Sequence, residues 1–306
     1  MRAVVVPRFG DPDVAEMGEA PLPTCPNGEV LVRVAFGGLG PWDAARRRGE
    51  MGGDVPYIPG AEFAGTVAGD SGDAAGFHDG EPVYGFPGLG DCHAEYVACP
   101  AESLAPVPAV VSLADAAGAP LPVLTARQGL IDVLKVRPHD RVLITAAAGA
   151  LGHFAVQLAR LLDAEVVATA SERDHEFVHR LGAVEVVDHD DPDWPARVRE
   201  LPRGLPTQVL VCNRTTVEAA ARACAAGGVI ATPVGGPLPE GGEATWQRYT
   251  ARPSGAQLIR MAPRFDDGSL VVEIGRRFDW RDTADSHRYV EDDRTRGTVV
   301  LEIGDA

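Results

Sequence analysis

The sequence predicts an α/β protein in which a doubly wound parallel sheet is joined to a second, β-rich and partly barrel-like domain. Three observations carry that expectation. A β-rich run, a tight small-residue turn and an apolar helix-like stretch follow one another over residues 142–162. Between residues 121 and 263 strand-like and helix-like runs alternate, the pattern of a parallel sheet built from strand–helix–strand units. The first 120 residues instead hold short alternating runs, such as Val30-Leu-Val-Arg-Val-Ala-Phe36 and Ala94-Glu-Tyr-Val-Ala98, among Gly- and Pro-rich turns.

Taken in order, Met1-Arg-Ala-Val-Val-Val starts as a strand, and the β-rich domain is expected over 1–120 together with 265–306. The parallel sheet is expected over 121–264, with strands at 142–145, 165–169, 184–187, 208–212 and 229–232. Helices fall between them at 153–162, 173–181, 194–200 and 217–225. Strand character returns at 270–274 and 299–303, separated by a helix near 284–291. The Gly- and Pro-rich loop over 235–242 reads either as a mobile segment or as an ordinary connector.

The turn Val142-Leu-Ile-Thr-Ala-Ala-Ala-Gly149-Ala150-Leu151-Gly152 has the form that receives a dinucleotide pyrophosphate on backbone N–H groups and a helix dipole. Close packing of strand on helix is the other use of such a turn. About 20 residues further on, a βαβ unit places the group that meets the adenosine ribose. An NAD-selective site has a carboxylate at the end of that strand, whereas this one ends Thr169-Ala170-Ser171, with Glu172 and Arg173 following. Ser171 and Arg173 would suit the additional phosphate of NADP, because a guanidinium donates two parallel hydrogen bonds to it. A solvated Arg at the start of a surface helix is the alternative.

With 306 residues and 45% hydrophobic content, the chain has ample material for a core. No apolar run approaches the roughly 20 residues of a membrane helix, and the N-terminus lacks a signal-peptide pattern, so a soluble, cytoplasmic protein is expected. The net charge of −16 opposes nucleic acid as a partner, since phosphate-backbone binding needs a basic surface. The five cysteines form no Cys-x-x-Cys pair, which supports neither a disulfide framework nor a cysteine zinc knuckle.

Several motifs in order carry a resemblance over nearly the whole chain. They are Met1-Arg-Ala-Val-Val-Val-Pro-Arg-Phe-Gly10, Pro56-Tyr-Ile-Pro-Gly60-Ala-Glu62-Phe-Ala-Gly65, Leu121-Pro-Val-Leu-Thr125-Ala, the turn at 148–152, Ala155-Val-Gln-Leu-Ala159 and Arg296-Gly297-Thr298-Val-Val-Leu301. The chain resembles the medium-chain dehydrogenase/reductases, in their zinc-independent quinone oxidoreductase branch related to zeta-crystallin. That resemblance implies a Rossmann-type domain beside a GroES-like one, and NADPH as cofactor. It further implies Thr125 at the nicotinamide carboxamide, Gly149, Ala150, Leu151 and Gly152 at the pyrophosphate, and Ser171 and Arg173 at the adenosine phosphate. His189 stands where relatives often carry a Tyr near that phosphate; a plain surface His is the other reading. Pairing as a homodimer through an edge strand of the nucleotide domain is also implied.

Relatives that use catalytic zinc hold it through a Cys, a His and a further ligand, and the corresponding positions here are Gly40, Ala61 and Leu121, so no metal site is expected. Other departures cluster where the chemistry should be. Gly40-Pro-Trp42-Asp43 replaces Asn-x-x-Asp, Ala45 and Met51 stand for tyrosines, and Gly297-Thr298 replaces Gly-Lys. Among the remaining candidates, Asp43 reads as a base or, alternatively, as a loop-fixing acceptor of backbone hydrogen bonds. Trp42 offers a flat apolar face to a substrate, or a core contact. His93 reads as a proton donor or as a structural residue. Glu62, a carboxylate inside an apolar strand run, needs a fixed partner.

The reading that follows is an NADPH-dependent reductase of a quinone or of the activated double bond of an enone, acting on a hydrophobic small molecule. A redox-neutral enzyme on the same fold, performing cyclisation, conjugate addition or elimination, is the alternative. A non-catalytic NADPH-binding protein is the third.

Overall fold

The computed structural model describes residues 1–72, 75–292 and 295–304. They divide into two compact units, Met1–Leu124 together with the chain from Arg252 on, and Thr125–Ala251.

The first unit begins with a two-stranded antiparallel sheet, β1 (Arg2–Val5) and β2 (Glu16–Glu19). There follow β3 (Glu29–Leu39), α1 (Pro41–Arg47), β4 (Glu62–Val67), β5 (Pro82–Gly85), β6 (Tyr96–Pro100), β7 (Leu104–Pro106), α2 (Leu113–Ala117) and the start of α3 (Pro120–Arg127), whose residues from Thr125 on belong to the second unit. Strand β3 shows why this stretch is a half-covered strand: Val30, Val32 and Val34 point inward and are buried, while Arg33 between them is exposed.

The second unit runs through β8 (Arg141–Ile144), α4 (Ala150–Leu161), β9 (Glu165–Ala170), α5 (His175–Leu181), β10 (Glu185–Asp188), α6 (Trp194–Glu200), β11 (Gln208–Leu210), α7 (Val217–Arg222), β12 (Val229–Thr232) and β13 (Thr245–Arg248). Its six strands are all parallel, in the order β10-β9-β8-β11-β12-β13. The order reverses between β8 and β11, and in a doubly wound sheet ligands bind beyond the carboxyl ends of the strands at that reversal. Leu143, Val167, Val209 and Ile230, one from each of four neighbouring strands, lie in its core.

The chain then returns to the first unit with α8 (Gly255–Asp266), β14 (Ile274–Asp279), α9 (Thr283–Glu291) and β15 (Thr298–Glu302). The large sheet of this unit runs β14-β15-β3-β4-β5-β7, with β6 also paired to β3. Only β14 and β15 are parallel, with α9 connecting them.

Three features differ from the sequence expectations. Strand β13 is a sixth strand of the parallel sheet, unforeseen because Thr-Trp-Gln-Arg is polar and lies at an exposed edge. The strand expected over 270–274 lies instead at Ile274–Asp279; Leu270 is buried, but beyond it the edge strand leaves Arg276 and Arg277 exposed and needs no apolar alternation. The return to the first unit comes at Arg252 rather than 265, because α8 packs tightly there: a methyl group on Gly255 would meet the Leu104 carbonyl oxygen at 1.9 Å. None of the described helices is long and apolar enough to cross a membrane.

Candidate active site

The glycine turn lies at the carboxyl end of β8, beside the strand-order reversal. The Ala147 amide donates to the Thr169 carbonyl at 2.8 Å and the Ala146 amide to Thr169 Oγ1 at 3.2 Å, which ties the turn to the end of β9. Helix α4 then begins with Gly149 as its N-cap and has no side-chain cap. Its first-turn amides belong to Ala150, Leu151 and Gly152, so backbone donors and the positive end of a 12-residue helix face the same place. Gly152 is required sterically, since a Cβ there would lie 2.2 Å from the Ala146 carbonyl oxygen and 2.6 Å from Ala147 Cα. A Cβ on Gly149 would meet only Ala146 O, at 3.4 Å, leaving open space above the N-cap. This is a cradle of the kind a diphosphate fills.

His153, one turn into α4, donates from Nδ1 to the Gly149 carbonyl at 3.0 Å; burial holds it neutral, with its pKa pushed down to about 4. Across the reversal, the Cys212 amide donates to Thr145 Oγ1 at 3.1 Å, and that hydroxyl pairs with Thr216 Oγ1 at 2.8 Å.

Beyond β9, Ser171 Oγ and His189 Nε2 are 3.1 Å apart, and the His189 amide donates to the Ala170 carbonyl at 3.2 Å. His189 Nδ1 is buried without a hydrogen-bond partner among the described residues. Arg173, about half-exposed, lies 3.4 Å from Asp174. Ser171 and His189 are thus brought together, with Arg173 two residues along the same turn and no carboxylate at the last position of β9.

Thr125 is buried in the last turn of α3, where its carbonyl accepts the Tyr249 hydroxyl at 3.0 Å. The helix then passes into a π-helical turn over Gln128–Val133.

The three remaining candidates lie in the first unit. Asp43 is buried and its carboxylate accepts from the amides of Gly40 and Gly60, each at 3.0 Å. Burial raises its pKa, opposed by His93 and by those two amides. His93 is fully buried, and Cβ atoms on Gly37 and Gly60 would come within 2.7 and 2.4 Å of its Cδ2, so two glycines form a slot for the ring. A carbonyl only accepts, so the 2.9 Å contact with Gly38 O commits the Nε2 hydrogen, while burial lowers the pKa. The other ring nitrogen, Nδ1, is buried without a hydrogen-bond partner among the described residues. Trp42, half-buried, lies across Gly40, where a Cβ would sit 2.3 Å from the indole.

Comparison with known proteins decides what this arrangement belongs to. Residues 26–109 match the family model of the alcohol dehydrogenase GroES-like domain, and residues 150–254 match that of zinc-binding dehydrogenases. A solved structure described as an NAD-dependent alcohol dehydrogenase is 30% identical with a TM-score of 0.87, over 99% of this chain and 100% of that one. The chloroplastic quinone-oxidoreductase QR1 of Triphysaria versicolor is 34% identical over 58% of this chain and 57% of that protein, so the match spans little more than half of that relative. The chloroplastic NADPH-dependent alkenal/one oxidoreductase of Arabidopsis thaliana is 27% identical over 98% of this chain and 79% of that protein. The chain belongs to the medium-chain dehydrogenase/reductase superfamily, in its zinc-independent quinone oxidoreductase branch.

As a member of this superfamily the chain departs from its zinc enzymes in structure as well as sequence. Position 40 is filled by the Trp42 ring, so a ligand side chain there would collide with it. Ala61 is fully buried, and Leu121 presents its amide to Glu62. No group of three or more His, Cys, Asp or Glu side chains among the described residues is placed to hold a metal ion. Glu62 finds the fixed partner its position demands in that amide: Oε2 accepts from Leu121 N at 2.8 Å and caps α3, while burial pushes the carboxyl well above its ordinary pKa. Tyr249 escapes a reading of the sequence, because it follows a polar edge strand and its partner, Thr125, is 124 residues away.

Proposed function

We propose that this chain is an NADPH-dependent reductase acting on a quinone or on the activated double bond of an enone-type, hydrophobic small molecule. When bound, the nicotinamide supplies the hydride that such an acceptor takes up. The α4 amides at Ala150, Leu151 and Gly152, with Gly149 as an open N-cap, hold the diphosphate. Ser171 and His189, already paired at 3.1 Å, and Arg173 beside them hold the adenosine phosphate. Thr125 orients the carboxamide, and Trp42 gives the acceptor a flat apolar wall.

The observation that carries the choice of NADPH is the end of β9, where Ser171 and not a carboxylate stands 3.1 Å from His189. Relatives of both habits occur, one described as NAD-dependent and one as NADPH-dependent, so the chain's own residues must decide. The redox-neutral alternative would draw its acid and base from Asp43 and His93; the Asp43 carboxylate is engaged by two backbone amides and His93 Nε2 by a backbone carbonyl, while His93 Nδ1 has no partner among the described residues.

The test is titration of the protein with NADPH and NADH, following cofactor fluorescence, for wild type, Arg173→Ala and Ser171→Ala. NADPH binding well below millimolar, weaker NADH binding, and a narrowed preference in both variants are expected. Absence of binding by either dinucleotide would sink the proposal.

A further inference from the structure

The tyrosine beyond β13 meets the last turn of α3 at one atom, the carbonyl oxygen of Thr125, shortly before the π-helical turn begins at Gln128. Tyr249 is held from behind by the sheet: its amide donates to the Thr232 carbonyl at 3.1 Å, extending the ladder of β12 and β13. From that fixed point its hydroxyl donates to Thr125 O at 3.0 Å. A buried tyrosine hydroxyl requires a partner, and this one spends its hydrogen on the backbone of the residue assigned above to the carboxamide.

Gly129 makes the contact possible. A Cβ at position 129 would lie 2.3 Å from Tyr249 Oη and 2.9 Å from Cζ, so any larger residue there would push the hydroxyl away. Beyond Arg127 the helix changes repeat: the Leu134 amide donates to Gly129 O at 2.9 Å, a step of five residues that closes the π-helical turn Gln128–Val133. Such turns are rarely used without a local reason. Here an outside donor engages a helix carbonyl one turn before the widened repeat, and a glycine clears the way for that donor. Residues 125, 129 and 249 lie in one unit, yet no sequence motif links them.

We propose that Tyr249 is a positioning residue for the nicotinamide end of the cofactor, acting through the Thr125 backbone, with Gly129 as the space that admits its hydroxyl. This assignment rests on the reading of Thr125 under Proposed function. It gives the hydroxyl one task, to fix the height and rotation of the last turn of α3. The adenosine end, built from Ser171, Arg173 and His189, does not depend on it.

Tyr249→Phe removes the hydroxyl and keeps the ring, and Gly129→Ala keeps the hydroxyl and displaces it. Two ligands separate the ends of the site: 2′,5′-ADP, which carries only the adenosine half, measured by calorimetry, and NADPH, whose emission reports the surroundings of its nicotinamide. Both variants are expected to weaken NADPH by about tenfold and to alter the emission of the bound cofactor, as misplacement of a positioning group does. Their affinity for 2′,5′-ADP is expected to stay within about twofold of wild type, since its contacts are untouched. Wild-type NADPH affinity and emission in Tyr249→Phe would overturn the assignment. So would a parallel loss of both ligands, which would mark the hydroxyl as a general support of the fold. If wild type binds 2′,5′-ADP and NADPH but the variants match it, this assignment falls alone. If wild type binds neither, the reading beneath it falls as well.

Discussion

A methyl group added to Gly152 would stand 2.2 Å from the carbonyl oxygen of Ala146 and 2.6 Å from Ala147 Cα, closer than real side-chain contacts come and against backbone that cannot swing aside. Gly152→Ala must therefore shift the start of α4. It is expected to lower stability by about 1–3 kcal/mol in chemical denaturation and to weaken NADPH at least tenfold, as overpacking of a rigid site does. Gly149→Ala is the contrast, with its nearest neighbour at 3.4 Å. It should leave the stability of the free protein within about 0.5 kcal/mol and express itself only in cofactor affinity.

Asp43 offers a choice between two roles that differ in kinetics. As an acceptor from Gly40 and Gly60 it should lose one of two backbone contacts in Asp43→Asn. A loss of about 1–3 kcal/mol in stability is expected, with turnover lowered less than about tenfold. A fall in kcat of a hundredfold or more at unchanged stability would identify a base.

The contact between Trp42 and Gly40 predicts coupling. Gly40→Ala alone places a Cβ 2.3 Å from the indole and should destabilise the protein. In a Trp42→Ala background the same change should be nearly neutral, giving a double-mutant interaction energy above about 1 kcal/mol. Additive losses would show that the two positions do not share this space.

Buried neutral histidines set the acid response. Burial pushes the pKa of His153 down to about 4 and that of His287 to about 3, and neither ring nitrogen of His287 has a hydrogen-bond partner among the described residues. The unfolded chain takes up protons near pH 6.5, where the folded protein does not. Each group's contribution is therefore complete above that pH and lost as pH falls toward the folded value, by up to about 1.4 kcal/mol per pH unit. The raised carboxyls of Asp43 and Glu62 act in the opposite sense, losing their contribution as pH rises. Comparing wild type with His287→Leu cancels them. The variant should show a shallower fall in stability between pH 6.5 and about 4, and should gain about 1 kcal/mol at pH 5. An unchanged slope would show that His287 is solvated or paired.

What the sequence discloses, and what it withholds, follows from range. The turn at 142–152 is legible because strand, glycines and helix are contiguous, and its steric logic at Gly152 involves residues only six apart. Ser171 and Arg173 are legible because a βαβ unit fixes their distance from that turn. Asp43 and His93 are conspicuous residue types, but whether they face open space depends on Gly37, Gly38, Gly40 and Gly60, and glycines leave no periodic pattern to read. Tyr249 is hidden for the same reason: Thr125, Gly129 and Thr232 give it meaning only after the sheet has assembled.

The place of β15 in its sheet has a further consequence. Thr298–Glu302 is inserted between β14 and β3, a strand made roughly 260 residues earlier in synthesis. On the ribosome the segment from 125 to 251 has all six of its strands in hand and can close up by itself, while the first segment waits with the Phe36–Leu39 end of β3 unsatisfied on the side that β15 pairs. Maturation of the chain thus runs inside out: the interrupting body is finished first, and the body it interrupts is sealed by a strand that emerges after it. A nascent chain halted before residue 298 would expose a β-edge to its neighbours on the polysome, and chaperone capture at that stage is where synthesis of this protein should be most sensitive.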